Sequence, residues 1–421
     1  MSGVSRHYVL AAGGTGGHLI PAFALAIELE RRGHHVALIT DRRGAQIPGK
    51  PESLPAHVLS PGRIAGRNPI GWIKGALGVL EGRRMALRLF DSFEPTAVVG
   101  FGGYPALPTL LAARSAGLPT ILHEQNAVLG RVNRYFAKQV DALATAYHTI
   151  DKLAPEWADK VTLVGNPVRA EVLALREAPF PAFTEESLLR ILVTGGSQGA
   201  RILSEVVPDA LAMLPTALRS RLQVIQQCRP EDIEAVRARY AQHGIPAELA
   251  TYFENMAERL ASAHLFIGRA GASTIAELTA VGRPAILIPL PYAMDDHQSA
   301  NAREMAAEGG ARVIRQPPIT TEEPDRYTGD KRNALLKEQA EIHQRMAKDL
   351  CLQIQAIAQH PQTLANAAHA AWNCGYPNAA SDLADLVESF GAAPLMDVIR
   401  VAGAPVAPAG GKEALALEGV E

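Results

Sequence analysis

The sequence predicts an α/β protein of two Rossmann-like, doubly wound domains that face each other across a cleft. Short apolar runs alternate with longer helical patterns along most of the 421 residues, and such alternation gives parallel sheets covered by helices on both faces. A glycine-rich strand–turn–helix unit occurs twice, at His7–Leu29 and at Leu189–Leu211. Because a unit of this kind opens a doubly wound domain, its repetition indicates two domains.

The first domain is expected to span residues 1–168, with a helix at Pro21–Arg32 after its first strand. A polar, proline-bearing stretch at 169–186 then predicts a linker. The predicted strands of this domain are Tyr8–Ala12, His35–Thr40, Ala97–Gly100, Thr120–His123 and Val161–Val164.

The second domain is expected to span residues 187–400, with a helix at Ile202–Met213. Residues 320–350 are strongly charged and predict an exposed insertion, and residues 401–421, rich in Ala, Pro and Gly, predict a disordered tail. The predicted strands are Leu189–Thr194, Leu222–Gln226, Leu265–Ile267, Ala285–Pro289 and Ala311–Ile314.

Composition excludes several classes of protein. With 48 % hydrophobic and 20 % charged residues, wholesale disorder and a fibrous repeat are excluded. Three widely spaced cysteines argue against a disulfide framework and a cysteine zinc site, and favour a reducing cytoplasm. The N-terminus does not resemble a signal peptide, and no run reaches the roughly 18 apolar residues of a membrane span.

Charge is distributed unevenly along the chain. Residues 1–170 carry 19 Lys and Arg against 12 Asp and Glu, whereas the remainder carries 22 against 31. A basic first half suits an anionic surface or substrate, although ordinary scatter explains the asymmetry equally well.

The glycine loop GGTGGH at Gly13–His18 ends with a histidine at a predicted helix start. It has neither dinucleotide-binding nor P-loop spacing. His18 can act as a general base at neutral pH if it faces the cleft. The alternative is a histidine that caps or packs locally.

The loop HEQN at His123–Asn126 follows a strand, at the sheet edge where ligands bind. Glu124 can serve as a base or orient a hydroxyl, and Asn126 can hydrogen-bond a substrate. The alternative is a polar loop that satisfies its own backbone. The glycines of GFGGYPALP, Gly100–Pro108, permit either close approach of a pyrophosphate or a plain turn.

Three later motifs predict phosphate and nucleotide contacts. Arg169 of GNPVR can bind a phosphate or a nucleotide edge, or form a surface ion pair. Ser197 in GGSQGAR and the run Ala272–Thr274 place donors at two helix N-termini, where a diphosphate can sit. Glu277 can accept from ribose hydroxyls or complement the helix dipole. Gln298 lies in PYAMDDHQSANA, where a sugar contact is expected and no DxD metal motif occurs.

A basic and apolar stretch, Arg63–Arg88, predicts a membrane-facing surface. Six basic residues accompany Glu81 as the lone acid, and each basic residue near an anionic bilayer contributes about 1 kcal/mol. The alternative is an amphipathic helix packed on its own sheet. The expected contact residues are Trp72, Ile73, Lys74, Leu77, Leu80, Arg83 and Arg84.

Taken in order, these motifs resemble the MurG family of inverting glycosyltransferases, in family 28. The similarity covers roughly residues 6–318 and a final stretch near Pro377–Phe390. It implies a GT-B fold, with a lipid acceptor on the N-terminal domain, UDP-N-acetylglucosamine on the C-terminal domain, and a last helix that returns to the N-terminal domain. It also implies transfer of N-acetylglucosamine to undecaprenyl-pyrophosphoryl-N-acetylmuramyl-pentapeptide, without a cofactor or nucleic acid.

The resemblance implies a cytoplasmic-face, inner-membrane, peripheral enzyme of peptidoglycan synthesis, cell shape and division, with other wall-synthesis or division proteins as further candidate partners. His18 and Glu124 are the candidate bases, and the sequence leaves the choice open. The implied donor-site residues are Thr15, Gly16, Gly17, Asn126, Arg169, Ser197, Phe253, Ala272, Ser273, Thr274, Ile275, Ala276, Glu277 and Gln298.

Three other functions compete with this one. Another GT-B enzyme, such as a lipid galactosyltransferase, would differ little in its donor motifs. A non-hydrolysing UDP-N-acetylglucosamine epimerase would need no lipid acceptor and no basic amphipathic stretch. A non-catalytic UDP-sugar-binding or scaffold protein would need neither His18 nor Glu124.

Overall fold

The computed structural model describes residues 4–59, 69–196, 199–318 and 327–390, with the backbone alone for 69–74. The first half forms a seven-stranded parallel sheet in the order β3-β2-β1-β4-β5-β6-β7. Its strands are β1 His7–Ala11, β2 His35–Thr40, β3 Ala56–Val58, β4 Ala97–Gly100, β5 Thr120–Glu124, β6 Ala142–Thr145 and β7 Val161–Leu163. Its helices are α1 Gly16–Arg31, α2 Pro69–Phe93, α3 Ala106–Ser115, α4 Arg131–Phe136 and α5 Ala170–Leu173.

The second half forms a six-stranded parallel sheet in the order β10-β9-β8-β11-β12-β13. Its strands are β8 Leu189–Thr194, β9 Leu222–Gln227, β10 Ala247–Ala250, β11 Leu265–Gly268, β12 Ala285–Leu287 and β13 Ala311–Val313. The remaining helices are α6 Arg201–Ala212, α7 Thr216–Arg219, α8 Ile233–Gln242, α9 Met256–Ser262, α10 Ala272–Ala280, α11 His297–Ala307, α12 Gly329–Ala358, α13 Pro361–Asn373 and α14 Ala379–Ser389.

Both sheets are doubly wound, which confirms the predicted fold class. In each sheet the first strand lies inside, and the strand order reverses beside it, between β1 and β4 and between β8 and β11. Ligands bind outside the carboxyl ends of the strands at such a reversal. The two glycine loops, at Gly13 and Gly195, follow β1 and β8 at these points.

Strands β3, β6 and β10 were not among the predicted strands. β3 has three residues and sits at a sheet edge, β6 reads ALAT, and β10 reads AELA. Alanine and glutamate are depleted in strands. These strands therefore depend on pairing with a neighbour rather than on a local pattern.

The charged stretch 320–350 is not the exposed insertion that its composition predicts. From Gly329 onwards it forms the first part of α12, which packs against α6. Apolar side chains at helical spacing, including Ile342, Met346 and Leu350, are buried in the core of the second half. The charges occupy the other faces of a 30-residue helix, which hides this periodicity.

The chain ends its described part on the first half, where α14 packs against α1. Leu383 and Val387 are fully buried in the core cluster that contains Leu29. Arg32 adds ion pairs from the end of α1 to Asp385, at 2.5 Å, and Glu388, at 2.6 Å. This helix therefore ties the last part of the chain to the first sheet.

Residues 169–186, the predicted linker, contact residues of the second half. Arg176 donates hydrogen bonds to the carbonyl oxygens of Thr279 and Ala280 and stacks over the ring of Trp372. Farther along, Phe180 and Phe183 contact the ring of His264. Among the described helices, none is long and apolar enough to cross a bilayer.

Candidate active site

His18 lies in the first turn of α1, and this helix contacts α10 of the second half. The ring is half-buried, and its Nδ1 is 2.9 Å from Oε1 of Gln125. Gly102 and Gly103, after β4, have φ values of 86° and 78°, and a Cβ at either would lie 3.4 Å from the imidazole. The positive φ values favour glycine at both positions, and the loop runs beside the ring. The approach of a pyrophosphate to this loop stays a prediction.

Glu124 is used by its own loop. It is 1 % exposed. Oε1 accepts from the backbone N–H and side-chain amide of Asn126, and Oε2 accepts from the Gly130 N–H and the Asn133 amide, at 2.8–3.2 Å. Four donors to one buried carboxylate occupy its acceptor positions and leave little capacity for a bond to a substrate hydroxyl. Glu124 therefore satisfies groups of its own loop, as in the second alternative given for HEQN.

Asn126 connects the two halves. Its Oδ1 accepts from Nδ2 of Asn301 on α11, at 3.1 Å, while Asn301 Oδ1 accepts from the Ala127 N–H at 2.8 Å. Asn301 also donates to the carbonyl of Ala270 and is fully buried. Asn301 belongs to the PYAMDDHQSANA run, where a sugar contact is expected, and its buried side chain joins the second half to Asn126 and Ala127 of the first half. The sequence does not indicate this contact, because the residues lie about 175 positions apart.

Arg169 and Glu277, predicted from separate motifs, lie together. The Arg169 Nε donates to Glu277 Oε1 at 2.8 Å, and its Nη1 is 3.6 Å from Glu171. Burial raises the pKa of Glu277, although Arg169 acts in the opposite direction. The ion pair foreseen for Arg169 is thus part of the cleft rather than of the surface, and it orients the carboxylate.

Helix α10 begins after Gly271, its N-cap. Ser273 and Thr274 are half-buried, whereas Ala272 and Ile275 are buried. The Ser273 hydroxyl is buried and finds no hydrogen-bond partner among the described residues. Free N–H groups in the first turn of a helix bind anions. Ala276 is half-buried, one residue before Glu277.

The remaining expected donor residues occupy varied positions. Thr15 is exposed, and Gly16 and Gly17 are half-buried at the start of α1. Phe253 is buried beneath the guanidinium of Arg259, 4.3 Å from its ring centre, and the Gln298 side chain accepts from the Leu290 N–H. Ser197 lies outside the described residues.

Sequence reasoning missed Asp295 as a contact between the halves. It forms ion pairs with Arg134, at 3.1 Å, and Lys152, at 2.5 Å, and these hold its pKa below the usual range. Asp295 and Asp296 have φ values of 58° and 54°. Two successive non-glycine residues in this conformation are costly. The strain lies in the loop leading to Gln298.

One face of α2 is exposed and combines apolar and basic side chains. Leu77 and Leu80 are 58 % and 50 % exposed, and Arg84 and Arg88 follow them at helical spacing. Arg83 is half-buried and bonds the Ser115 hydroxyl. The side chains of Trp72, Ile73 and Lys74 lie outside the described residues. The other face, with Ala86 and Phe90, packs in the core, as the alternative of an amphipathic helix on its own sheet predicts, and the membrane contact stays a prediction.

Two family models match the chain. The glycosyltransferase family 28 N-terminal domain matches residues 8–145, and the family 28 C-terminal domain matches residues 190–349. The second match includes most of the charged stretch 320–350.

Curated relatives match the chain along nearly its full length. A Novosphingobium aromaticivorans protein is 68 % identical over 99 % of this chain and all of its own length. A Zymomonas mobilis protein is 54 % identical over 92 % of this chain and 93 % of its own. Both are named UDP-N-acetylglucosamine–N-acetylmuramyl-(pentapeptide) pyrophosphoryl-undecaprenol N-acetylglucosamine transferase.

Solved structures agree with the fold. Acinetobacter baumannii MurG is 28 % identical, with a TM-score of 0.65, and the match covers 91 % of this chain and 99 % of that one. Os79 from O. sativa, in complex with UDP, has a TM-score of 0.62 over 91 % of this chain and all of its own, at 13 % identity, and supports the fold alone. The GT-B fold is therefore confirmed, and the chain belongs to the MurG family within glycosyltransferase family 28.

Proposed function

We propose that this chain is an inverting glycosyltransferase that moves N-acetylglucosamine from UDP-N-acetylglucosamine to undecaprenyl-pyrophosphoryl-N-acetylmuramyl-pentapeptide, converting lipid I to lipid II. The full-length relatives named for this reaction support it. The observation that carries it physically is the contact between α1 and α10. This contact supports a site in which a candidate base on α1 and the N-terminus of α10 share one cleft.

The donor would bind mainly to the second half. Glu277, held by Arg169, would accept from the ribose hydroxyls, and the first turn of α10, with Ala272–Ala276, would bind the diphosphate. Backbone near Phe253 would contact the uracil. Thr15, Gly16, Gly17, Asn126, Ser197 and Gln298 would complete the site around the diphosphate and the sugar.

His18 would take the proton of the acceptor hydroxyl. The hydroxyl oxygen bonds to the anomeric carbon as the bond to UDP breaks, and the proton moves to the imidazole. The helix N-terminus stabilises the negative charge that develops on UDP. One displacement inverts the anomeric configuration from α to β. Because its carboxylate is saturated by four donors, Glu124 would shape the loop that presents Asn126.

The lipid acceptor would bind the first half, and the exposed face of α2 would lie on an anionic membrane at the cytoplasmic side of the inner membrane. Leucines and arginines on one face suit such a surface. Other cell-wall synthesis or division proteins remain candidate partners. Replacing Leu77 and Leu80 by Glu should weaken binding to phosphatidylglycerol vesicles at least about tenfold, whereas the exposed Leu352→Glu on α12 should not.

Transfer is tested with radiolabelled UDP-N-acetylglucosamine, with and without the lipid-linked muramyl-pentapeptide, by following label into the organic phase. Label in the lipid only when acceptor is present is the expected result. N-acetylmannosamine formed without acceptor would instead indicate the epimerase. Bound UDP without either product would leave a binding protein.

A further inference from the structure

A chain of buried hydrogen bonds runs from a backbone carbonyl to His18. His123 Nε2 lies 3.0 Å from the Gly165 carbonyl oxygen. Gln125 Nε2 lies 2.9 Å from His123 Nδ1, and Gln125 Oε1 lies 2.9 Å from His18 Nδ1. His123 and Gln125 are at most 1 % exposed, so water does not compete for the two bonds that His123 makes.

The direction of every bond in this chain is determined by its first acceptor. The Gly165 carbonyl can only accept, so His123 carries its proton on Nε2. Burial lowers the pKa of His123 to about 4. Its ring is therefore neutral at pH 7, and Nδ1 has a free lone pair.

Gln125 passes this constraint on. Its amide nitrogen donates one hydrogen to His123 Nδ1 and the other to the His123 carbonyl at 2.8 Å. The reversed amide would set its oxygen against two acceptors, so the orientation is pinned. Gln125 Oε1 therefore faces His18 and can only accept, which places the His18 proton on Nδ1.

We propose that Gln125 and His123 are positioning residues that hold the His18 proton on Nδ1 and keep the lone pair of Nε2 free for the acceptor hydroxyl. The proposal rests on His18 being the base of the proposed function. A free neutral imidazole favours the opposite tautomer, with its proton on Nε2, which cannot accept a proton at that atom. These hydrogen bonds therefore select the His18 tautomer whose Nε2 can accept a proton.

The surroundings of His18 are compatible with this role. The glycine turn Gly102–Gly103 lies against the ring and carries no side-chain charge. A positive charge on His18 lowers the pKa of His123 further, so the His123 ring stays neutral. The nearby carboxylate of Glu124 is engaged by its own loop.

The direct test is ¹⁵N NMR of the full chain labelled with [¹⁵N]histidine, with His18 assigned from its loss in His18→Gln. Neutral His18 should show a protonated Nδ1 and an unprotonated Nε2. In Gln125→Met, which keeps size but not the hydrogen bond, the proton should move towards Nε2. A protonated Nε2 in the unaltered protein would overturn the proposal.

Two variants at His123 provide a matched pair for kinetics. His123→Asn keeps an acceptor near the Nδ1 position, whereas His123→Leu has the same shape without one, and both lose the bond to Gly165. Relative to His123→Asn, His123→Leu should lower kcat about 10- to 100-fold, a part of the roughly 10²–10⁴-fold contribution of a general base. Its KM for the donor should stay unchanged.

The split between kcat and KM separates positioning from a general loss of structure. Gln125→Met should lower kcat with little change in the melting temperature or in the KM for the donor, because His18 would then favour the tautomer that cannot accept the proton at Nε2. A kcat of Gln125→Met equal to that of the unaltered protein, or equal kcat in the two His123 variants, would contradict the proposal. If the unaltered protein transfers no sugar, the proposed function fails instead, whichever tautomer NMR finds.

Discussion

At the scale of single residues, Glu277 illustrates a conflict between binding and stability. Its carboxylate is buried and held by Arg169, and burial raises its pKa. A buried carboxylate with a raised pKa binds protons more tightly in the folded state, so ionising it costs stability as pH rises. In the proposed donor site, this residue would therefore serve ligand recognition at the expense of folding stability.

Glu277→Gln should weaken donor binding about 10- to 100-fold, because a hydrogen bond to a charged group contributes about 1.5–3 kcal/mol. The stability of the variant relative to the unaltered protein should rise between pH 4 and pH 7. Calorimetric titration with UDP-N-acetylglucosamine and melting curves at both pH values check this. Unchanged affinity would remove Glu277 from the donor site.

The sequence could indicate which loops form the site but not what each residue does there. Motifs at strand ends meet at one edge of a parallel sheet, so His18, Glu124 and Asn126 could be grouped in advance. The four donors to Glu124 could not be predicted, because they depend on the path of its loop. The contact of Asn301 with the first half could not be predicted either, because it depends on how the two halves pack together.

At the scale of elements, α12 shows where composition fails to predict burial. Its charged residues predicted an exposed segment, yet the side chains of one face are buried in the core of the second half. Leu350→Ala should cost about 2–5 kcal/mol of unfolding free energy, as deletion of a fully buried leucine does. Leu352→Ala, on the same helix but 53 % exposed, should change it by less than about 0.5 kcal/mol. Equal effects in urea denaturation would contradict this packing.

His264 bonds both the predicted linker and the second sheet, and its contacts predict that the protein loses stability in acid. Its Nδ1 accepts from the Arg190 N–H, and its Nε2 donates to the Ala182 carbonyl. Burial lowers its pKa to about 4, below the unfolded value of about 6.5. The unfolded chain binds more protons between these values, so this stabilisation is complete above pH 6.5 and is lost as pH falls to 4.

His264→Asn keeps an acceptor for Arg190 but cannot titrate. Between pH 6.5 and pH 4 it should lose less stability than the unaltered protein, by up to about 3 kcal/mol. Chemical denaturation across this range measures the difference. Parallel stability curves for the two proteins would show that His264 does not contribute to acid sensitivity.

At the scale of the whole molecule, the described residues join the two halves through a buried apolar cluster that includes Leu129 and Ile275, a buried amide network and several partly exposed ion pairs. Asn301 supplies the buried amide, while Arg303–Asp151 and Arg134–Asp295 lie nearer the surface. Ion pairs of the second kind contribute about 0–1 kcal/mol each. Most strands of the two sheets follow from local sequence patterns, whereas this interface joins residues far apart in the chain and follows from none.

In the proposed function, this cleft transfers a sugar with His18, rather than Glu124, as the base. The most direct measurement is the single-turnover rate of N-acetylglucosamine transfer by His18→Ala, with donor and lipid acceptor saturating. We expect a rate about 10²–10⁴-fold below that of the unaltered protein, with unchanged UDP affinity and melting temperature. Glu124→Gln should instead lower the melting temperature, because its amide would face hydrogen-bond donors. A His18→Ala rate equal to that of the unaltered protein would show that His18 is not the base.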